Sequence, residues 1–216
     1  MHSFPVDTPR GPAEVEVADP AGAPVSLLVL GHGAGGGVHA PDLVRVRDVA
    51  LASGVRVALV TQPYRVAGRR SPAPAPHLDE AWTAVVGMIA VPGLPLVLGG
   101  RSSGARVACR TAGALGAAGV LALAFPLHPP GRPDRSRADE LPAGLPTLVV
   151  NGDRDPFGIP EPAGSVDVSI RPGATHDLRK GLPDTARVVR DWLARHAWAR
   201  PTHDSRTAQT PTRRMG

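Results

Sequence analysis

Six residues, Gly-Gly-Arg-Ser-Ser-Gly at positions 99–104, narrow the possible folds of this chain more than any other segment. They follow the apolar run 94–98, which predicts a buried strand, and they precede 105–112, whose pattern predicts a helix. A strand, a glycine-lined turn with a serine at its tip, and a helix together form the motif known as a nucleophile elbow. The segment therefore predicts a serine held out at the end of a strand, where it can react.

The glycine spacing identifies which serine lies at the tip of the turn. The tip residue has a strained backbone, and its neighbours two residues away on each side must be small so that strand and helix can approach closely. Gly100 and Gly104 meet this condition around Ser102, whereas Ser103 would have Arg101 as one of these neighbours. Ser102 is therefore the predicted nucleophile.

The composition fits one domain whose core is poor in aromatic residues. The chain has 216 residues, of which 42% are hydrophobic and only 3% aromatic, so valine, leucine and alanine must fill the core. We expect an N-terminal extension at 1–12, a single domain at 13–199 and a disordered basic tail at 200–216. Neither a secretory signal nor an apolar run of the ~20 residues that span a membrane is recognisable, so a cytoplasmic location is expected.

Charge and cysteine content limit the expected partners. The formal net charge is +5, and arginine dominates the basic residues, with Lys180 as the only lysine. Surfaces that bind single-stranded nucleic acid combine basic residues with aromatic ones, which are scarce here, so nucleic acid is not favoured. We expect a small-molecule substrate and leave a protein partner open. The single cysteine, Cys109, cannot form an internal disulfide, and without a zinc-like pair no metal and no cofactor are expected.

Apolar runs alternate with helical patterns along most of the chain. This alternation predicts a mostly parallel, doubly wound sheet with helices on both faces. The connections are short, which leaves no room for a large cap domain. The predicted strands are 26–30, 55–61, 94–98, 119–125, 145–151 and 166–170, with an edge strand at 13–18, and the predicted helices are 42–53, 78–90, 105–116 and 182–199.

A serine hydroxyl is a weak nucleophile and requires a base, which in turn requires an acid to orient it. After an elbow serine, the expected chain order is an acid and then a histidine, each just beyond a strand. Two acids, Asp153 and Asp155, follow the strand that ends at 151, and His176 follows the last strand. We favour Asp155 as the acid because it lies farther along the turn, while Asp153 remains an alternative.

The glycine-rich turn at 31–37 is the predicted oxyanion hole, which holds the negative charge formed when a carbonyl is attacked. The backbone amides of Ala34 and Ser103 are its expected donors, and His32 is expected to brace the loop. A phosphate-binding role is not favoured, because no Lys-Ser/Thr pair follows the turn and no acidic residue lies about twenty residues on. Gly33 is expected to line the substrate-binding site.

Four ordered segments, 26–37, 96–108, 120–157 and 173–178, resemble the small, cap-less α/β-hydrolases related to dienelactone hydrolase. Residues 125–131 and 151–158 are similar to the branch that contains testis-expressed α/β-hydrolase-like proteins and a subunit of a chromatin acetyltransferase complex.

The resemblance implies an α/β fold of the α/β-hydrolase type and a triad of Ser102, Asp155 and His176. It implies hydrolysis of an ester, thioester or related acyl bond. Because some members of the branch serve as binding subunits, a catalytically silent binding protein is the alternative. Phe157 is expected to line the substrate site. His128 either lines it as well or fixes the proline-rich loop, and the structural role is favoured.

Overall fold

An eight-stranded sheet organises the fold. The computed structural model describes residues 1–201, so most of the tail predicted at 200–216 lies outside the described residues. The strands are β1 His2–Val6, β2 Ala13–Ala18, β3 Ser26–Gly31, β4 Val55–Thr61, β5 Leu96–Arg101, β6 Gly119–Leu123, β7 Thr147–Gly152 and β8 Val166–Arg171. The helices are α1 Pro41–Ala52, α2 Pro63–Val66, α3 Ala75–Ile89, α4 Ser103–Thr111 and α5 Leu182–Arg195, with a single 3₁₀ turn at Ala138–Glu140.

The strand order is β1-β2-β4-β3-β5-β6-β7-β8. Strands β3 to β8 pair in parallel, whereas β1 with β2 and β2 with β4 pair antiparallel. The predicted doubly wound, mostly parallel sheet is therefore confirmed. Parallel strands place all their carboxyl ends at one edge, which is where ligands bind in open α/β sheets.

Helices cover both faces of the sheet. Residues of α3 and α4 pack on one face with Trp82 among the largest buried side chains, and residues of α1 and α5 pack on the other with Trp192. Strand β3 shows why both faces need cover, since Leu27 and Val29 belong to the first layer and Leu28 and Leu30 to the second. Its near-continuous apolar sequence follows from burial on both sides.

The N-terminal residues differ from the prediction. Residues 1–12 were expected to be an extension, but β1 pairs antiparallel with β2 and forms the edge of the sheet. Strand β2, predicted as the edge, is therefore one position further in. The β1 sequence is short and contains Pro5, which lacks a backbone N–H and is tolerated only at such an edge. Strand β1 forms because β2 offers it a pairing partner, and its own sequence has no strong strand pattern.

Further elements differ from the prediction: α3 begins at Ala75 rather than at 78, and α4 ends at Thr111 rather than near 116. The segment 62–76, expected to be a loop, contains the short helix α2, and its first turn includes Pro63 at a position that suits proline. Helix α5 ends at Arg195 rather than near 199. The chain then folds back, because Trp198 packs in the core and the Arg200 amide donates to the Ser53 carbonyl at 2.7 Å. The domain therefore includes Arg200.

Gly104 lies where the elbow helix meets strand β3. A β-carbon at Gly104 would lie 2.5 Å from the Gly31 carbonyl carbon and 2.8 Å from the His32 oxygen, and both are backbone atoms. We predict that Gly104→Ala lowers the free energy of unfolding by about 3 kcal/mol or more, measured by urea denaturation. Gly87→Ala is the control, since nothing lies within 4 Å of that helical site, and a gain of about 0.5–1 kcal/mol is expected. Equal effects of the two substitutions would contradict the predicted contact.

Cys109 lies on the buried face of α4. Burial raises the pKa of its thiol to about 12, which leaves almost no reactive thiolate at neutral or mildly alkaline pH. We predict that a thiol reagent such as DTNB reacts with the native protein only at the rate of unfolding, and reacts fully in guanidinium chloride. Rapid reaction of the folded protein would show that this layer of the core opens.

Candidate active site

Ser102 lies at the tip of the turn between β5 and α4. Its φ of 53° and ψ of −110° are strained for a residue with a side chain. The turn is held by a hydrogen bond from the Ser102 amide to the Leu123 carbonyl at 2.9 Å, and by the absence of a β-carbon at Gly104. This strained, anchored turn aims the hydroxyl of Ser102 away from the sheet.

The structure brings the three predicted triad residues into one hydrogen-bonded chain. His176 Nε2 lies 2.9 Å from Ser102 Oγ, and His176 Nδ1 lies 2.9 Å from Asp155 Oδ2. Because an ionised carboxylate can only accept, Nδ1 carries the proton and Nε2 is left to accept the hydroxyl proton of Ser102. These residues are 21 and 74 positions apart in sequence, and strand ends bring them together.

Of the two candidate acids, Asp155 contacts the histidine. Its side chain is fully buried, and its second oxygen, Oδ1, accepts the Phe157 amide at 2.9 Å. Both oxygens are thus fixed by donors, which orients the carboxylate. Asp153 is exposed, and its backbone amide pairs with the Arg171 carbonyl at 3.2 Å at the end of the ladder.

Phe157 packs against the histidine ring, and His128 is bonded to the loop that carries Phe157. The Phe157 ring is 4.3 Å from the His176 ring, centre to centre, with an interplanar angle of 52°. The His128 amide donates to the Phe157 carbonyl at 3.0 Å, and its Nδ1 lies 2.9 Å from the Pro129 carbonyl. The first bond ties the proline-rich loop to the loop that carries Phe157, and the second lies within the proline-rich loop. Contact of either side chain with a substrate stays a prediction.

The glycine-rich loop after β3 is held by His32. The Gln62 amide donates to His32 Nε2 at 3.1 Å, so His32 Nδ1 carries the proton and donates to the Gly33 carbonyl at 2.8 Å. Burial lowers the pKa of His32, which favours this neutral form. The Gly33 carbonyl also accepts the Gly36 amide at 3.2 Å. The Gly33 carbonyl and the Ala34 N–H belong to the same trans peptide group and point in opposite directions. The bonds that hold the carbonyl therefore also fix the direction of the Ala34 N–H.

The two backbone amides predicted as oxyanion donors are positioned by different parts of the structure. The Ala34 carbonyl accepts the hydroxyl of Tyr64 at 2.7 Å, and burial raises the pKa of Tyr64 to about 12, so this donor keeps its proton. Ser103 is the first residue of α4, where an amide has no acceptor within the helix. Tyr64 was not predicted from the sequence, since a tyrosine in a proline-rich segment has no distinctive signal.

Asn151 is a second residue that the sequence did not reveal as part of the site. It is fully buried at the end of β7. Its side chain accepts the Phe125 amide at 2.9 Å and donates to the Phe125 carbonyl at 2.9 Å and the Gly158 carbonyl at 3.1 Å. It therefore joins the end of β6 to the loop that carries Asp155. The available signal was a polar residue ending an otherwise apolar strand.

Arg101, at the end of β5, contacts three other segments of the structure. Its Nε lies 3.0 Å from Asp42 Oδ2, and its Nη2 donates to the His176 carbonyl at 3.1 Å. Its Nη1 would lie 3.2 Å from a β-carbon at Gly33, so the guanidinium also packs against the glycine-rich loop. One arginine thus links the elbow, the histidine loop, the glycine-rich loop and helix α1.

Asp42 is the buried partner in this link. Its side chain is fully buried in the first turn of α1, and burial raises its pKa although the charge of Arg101 acts in the opposite direction. An acid in a first helical turn is ordinarily explained by the helix dipole. The sequence therefore offered no reason to pair Asp42 with Arg101, 59 positions away in the numbering.

We predict that Asp42→Ala lowers the free energy of unfolding by about 3–5 kcal/mol, because it leaves the Arg101 charge half-buried without its partner. Asp48→Ala is the matched control on the same helix. Its carboxylate is 48% exposed and, within the described part of the chain, pairs only with neighbouring Arg47, so a change below about 0.5 kcal/mol is expected. Urea denaturation measures both. If the two variants lose equal stability, the Arg101 link is unimportant.

Two general properties accompany the site. Among residues 1–201, histidine, cysteine and acidic side chains form no group of three or more that could hold a metal ion. No helix in the described part of the chain is long and apolar enough to cross a bilayer.

The fold and the elbow are those of the α/β hydrolases. The family described as "Alpha/beta hydrolase domain" matches residues 24–181, and the chain belongs to this family. Comparison with curated proteins finds no match.

Three of the solved structures similar to this one are named as serine hydrolases or as a dienelactone hydrolase. A serine hydrolase without a lid from Xanthomonas campestris is 22% identical, with a TM-score of 0.76 over 93% of this chain and 96% of that chain. A serine hydrolase homologue from Coxiella burnetii is 20% identical, with a TM-score of 0.73 over 89% and 97%. Dienelactone hydrolase from Anabaena variabilis is 19% identical, with a TM-score of 0.71 over 90% and 96%. At these identities the likeness establishes the fold.

Proposed function

We propose that this protein is a serine hydrolase that cleaves an ester, thioester or related activated acyl bond. The observation that carries the proposal is the continuous hydrogen-bonded chain from Ser102 Oγ through His176 to the buried carboxylate of Asp155, with both distances at 2.9 Å. This arrangement supplies a nucleophile, a base in the correct tautomer and a group that stabilises the imidazolium. The membership in a hydrolase family supports the same conclusion.

The first half-reaction forms an acyl-enzyme. Ser102 Oγ attacks the acyl carbon while its proton moves to His176 Nε2, and Asp155 stabilises the resulting imidazolium. The charge on the tetrahedral oxygen is held by the amides of Ala34 and Ser103. The bond to the alcohol or thiol then breaks, and His176 returns its proton to that leaving group.

The second half-reaction restores the enzyme. A water molecule gives a proton to His176 Nε2 and attacks the acyl carbon, through a second tetrahedral oxyanion in the same hole. The bond to Ser102 Oγ breaks, the serine regains its proton from His176, and the carboxylic acid leaves. Gly33 and Phe157 border the reacting atoms, since Gly33 lies against the elbow and Phe157 against the histidine ring.

A series of p-nitrophenyl esters tests the proposal and ranks acyl size. We expect hydrolysis of at least one ester between acetate and decanoate at a rate well above that of the Ser102→Ala protein prepared identically. The series is extended by acyl thioesters. Rates that match the Ser102→Ala protein across the whole series would contradict the proposal.

A catalytically silent binding protein is the second candidate, and the resemblance to the testis-expressed and acetyltransferase-complex branch favours it. The two segments that carry this resemblance meet in space, because Asn151 is hydrogen-bonded to Phe125 and the His128 amide to the Phe157 carbonyl. This candidate predicts no hydrolysis that depends on Ser102 anywhere in the ester and thioester series. The same assay therefore separates the two functions.

A further inference from the structure

Strand β8 leaves one edge of the sheet open. Among residues 1–201, β8 is the last strand in the sheet order and pairs only with β7. Amides on the β7 side donate to the carbonyls of Ser165 at 2.9 Å and Arg171 at 3.2 Å. The odd-numbered residues from 165 to 171 therefore direct their backbone N–H and C=O groups toward β7. By the two-residue period of a strand, Val168 and Ile170 direct their N–H and C=O groups outward.

The open segment is short and has defined ends. The Val166 amide and carbonyl both pair with Ala163, at 2.9 and 3.3 Å, which closes the edge before Asp167. Beyond Arg171 comes Pro172, which has no N–H to donate. Another strand can therefore pair with β8 only between 167 and 171.

The side chains of residues 167–171 lack the features that usually protect an edge strand from pairing with another chain. Ile170 is 49% exposed, and the half-buried Val168 shares its face of the sheet. The opposite edge of the sheet carries Pro5, a common protection against strand pairing, whereas 167–171 contains no proline. Its charges are one acid, Asp167, and one base, Arg171.

We propose that β8 pairs antiparallel with β8 of a second copy of this chain, about a two-fold axis at Ser169. In this register Val168 lies opposite the partner's Ile170 and Ile170 opposite the partner's Val168. Each of these pairs exchanges two backbone hydrogen bonds through the groups that now point outward. Two eight-stranded sheets become one continuous sheet.

The backbone permits this register and excludes the two nearest alternative registers. A shift of the axis to Val168 would need the backbone of Val166, which Ala163 already occupies, and a shift to Ile170 would need an N–H from Pro172. The Ser169 register also places Asp167 opposite the partner's Arg171, twice across the axis. A two-fold interface requires such self-complementary surfaces.

The side chains of Asp167 and Arg171 are available to form ion pairs across this interface. Arg171 donates one bond to Ser169 Oγ at 2.7 Å, but its buried Nε has no acceptor among residues 1–201. Asp167 lies 3.4 Å from Arg195, and both side chains of that pair are more than half exposed, so the contact is weak. Opposite charges directly across two strands stabilise their pairing, and like charges oppose it.

The dimer leaves the hydrolase sites separate. Ser102 follows β5, and β6 and β7 lie between β5 and the open edge. Antiparallel pairing directs the carboxyl ends of the two sets of parallel strands in opposite directions, so the two copies of Ser102 open to opposite ends of the dimer. Association and hydrolysis can therefore be tested independently.

Charge reversal tests the register directly, with the full chain studied by sedimentation over a range of concentrations. The wild type is expected to be a dimer at micromolar concentration. Asp167→Arg places two arginines opposite each other at both ends of the interface, and Arg171→Asp places two aspartates there, so each variant should dimerise about tenfold or more weakly. Asp191→Arg, a reversal at an exposed site on α5, is the control and should dimerise like the wild type.

Mixing the two charge-reversed proteins provides the decisive comparison. A mixed pair has arginine opposite aspartate at both ends of the interface, so an equimolar mixture should recover wild-type association although neither protein does so alone. All four proteins should hydrolyse the same ester equally, which shows that they are folded. A wild type that sediments as a monomer at every concentration, or a mixture that associates no better than its components, would overturn the proposal.

Discussion

The Ser102→Ala protein is expected to hydrolyse a good p-nitrophenyl ester with kcat lowered about 10⁴–10⁶-fold, the largest effect of any single substitution in this chain. The oxygen at 2.9 Å from His176 Nε2 is the only atom in the arrangement that can attack the acyl carbon. Alanine fits the elbow, since its β-carbon replaces that of serine at the same strained backbone. Stability measured by urea denaturation should therefore change little.

Ser103→Ala is the matched control for this loss. Ser103 is the next residue in the same turn, and its proposed contribution is a backbone amide at the start of α4, which alanine retains. Its rate should stay within about tenfold of the wild type, because losing a backbone oxyanion donor would cost about 10²–10³ and that donor is kept. If both variants lose activity equally, the roles assigned to the two serines are wrong.

Asp155→Asn is expected to lower kcat about 10⁴-fold. The amide is nearly the same size as the carboxylate, and its oxygen can still accept the Phe157 amide. Its NH₂ group, however, would donate to His176 Nδ1 and leave the proton on Nε2, where it blocks transfer from Ser102. The loss should fall on kcat more than on KM, since Asp155 does not contact the substrate.

Asp153→Asn gives the comparison that separates the two acids. Asp153 is exposed, and among residues 1–201 the hydrogen bond it makes is from its backbone amide to the Arg171 carbonyl at 3.2 Å. We expect kcat within about twofold of the wild type, the small effect usual for a surface substitution. Steady-state rates with one ester decide the matter. Comparable losses in the two variants, or a larger loss at Asp153, would reassign the acid.

The central strands of the fold could be predicted because burial on both faces demands near-continuous apolar sequence. Strands β3 and β4 lie where their apolar runs predicted them. Strand β1 could not be predicted, since its pairing depends on β2 and its own sequence includes Pro5. Helix α2 was missed for a related reason, because four residues beginning with proline carry no periodicity.

The residues of the candidate site also fall into those that the sequence could predict and those that it could not. Ser102, Asp155 and His176 follow strand ends in a fixed chain order, so local patterns pointed to Ser102 and His176 and reduced the candidates for the acid to Asp155, which was favoured, and Asp153. Arg101 and Asp42 were not selected, because their pairing depends on the crossing of α1 with the elbow and each has a commoner explanation on its own. A contact between residues distant in sequence leaves no local pattern in a single chain.

Covalent labelling with a fluorophosphonate probe tests the central claim most directly, because only a serine activated by a base reacts rapidly. After trypsin digestion, Ser102 and Ser103 lie together between Arg101 and Arg106, so fragment masses must assign the adduct. We predict one adduct per chain on Ser102, absent from Ser102→Ala and strongly reduced in His176→Asn. A chain that stays unlabelled under conditions that label a known serine esterase, or that is labelled equally after Ser102→Ala, would contradict the account.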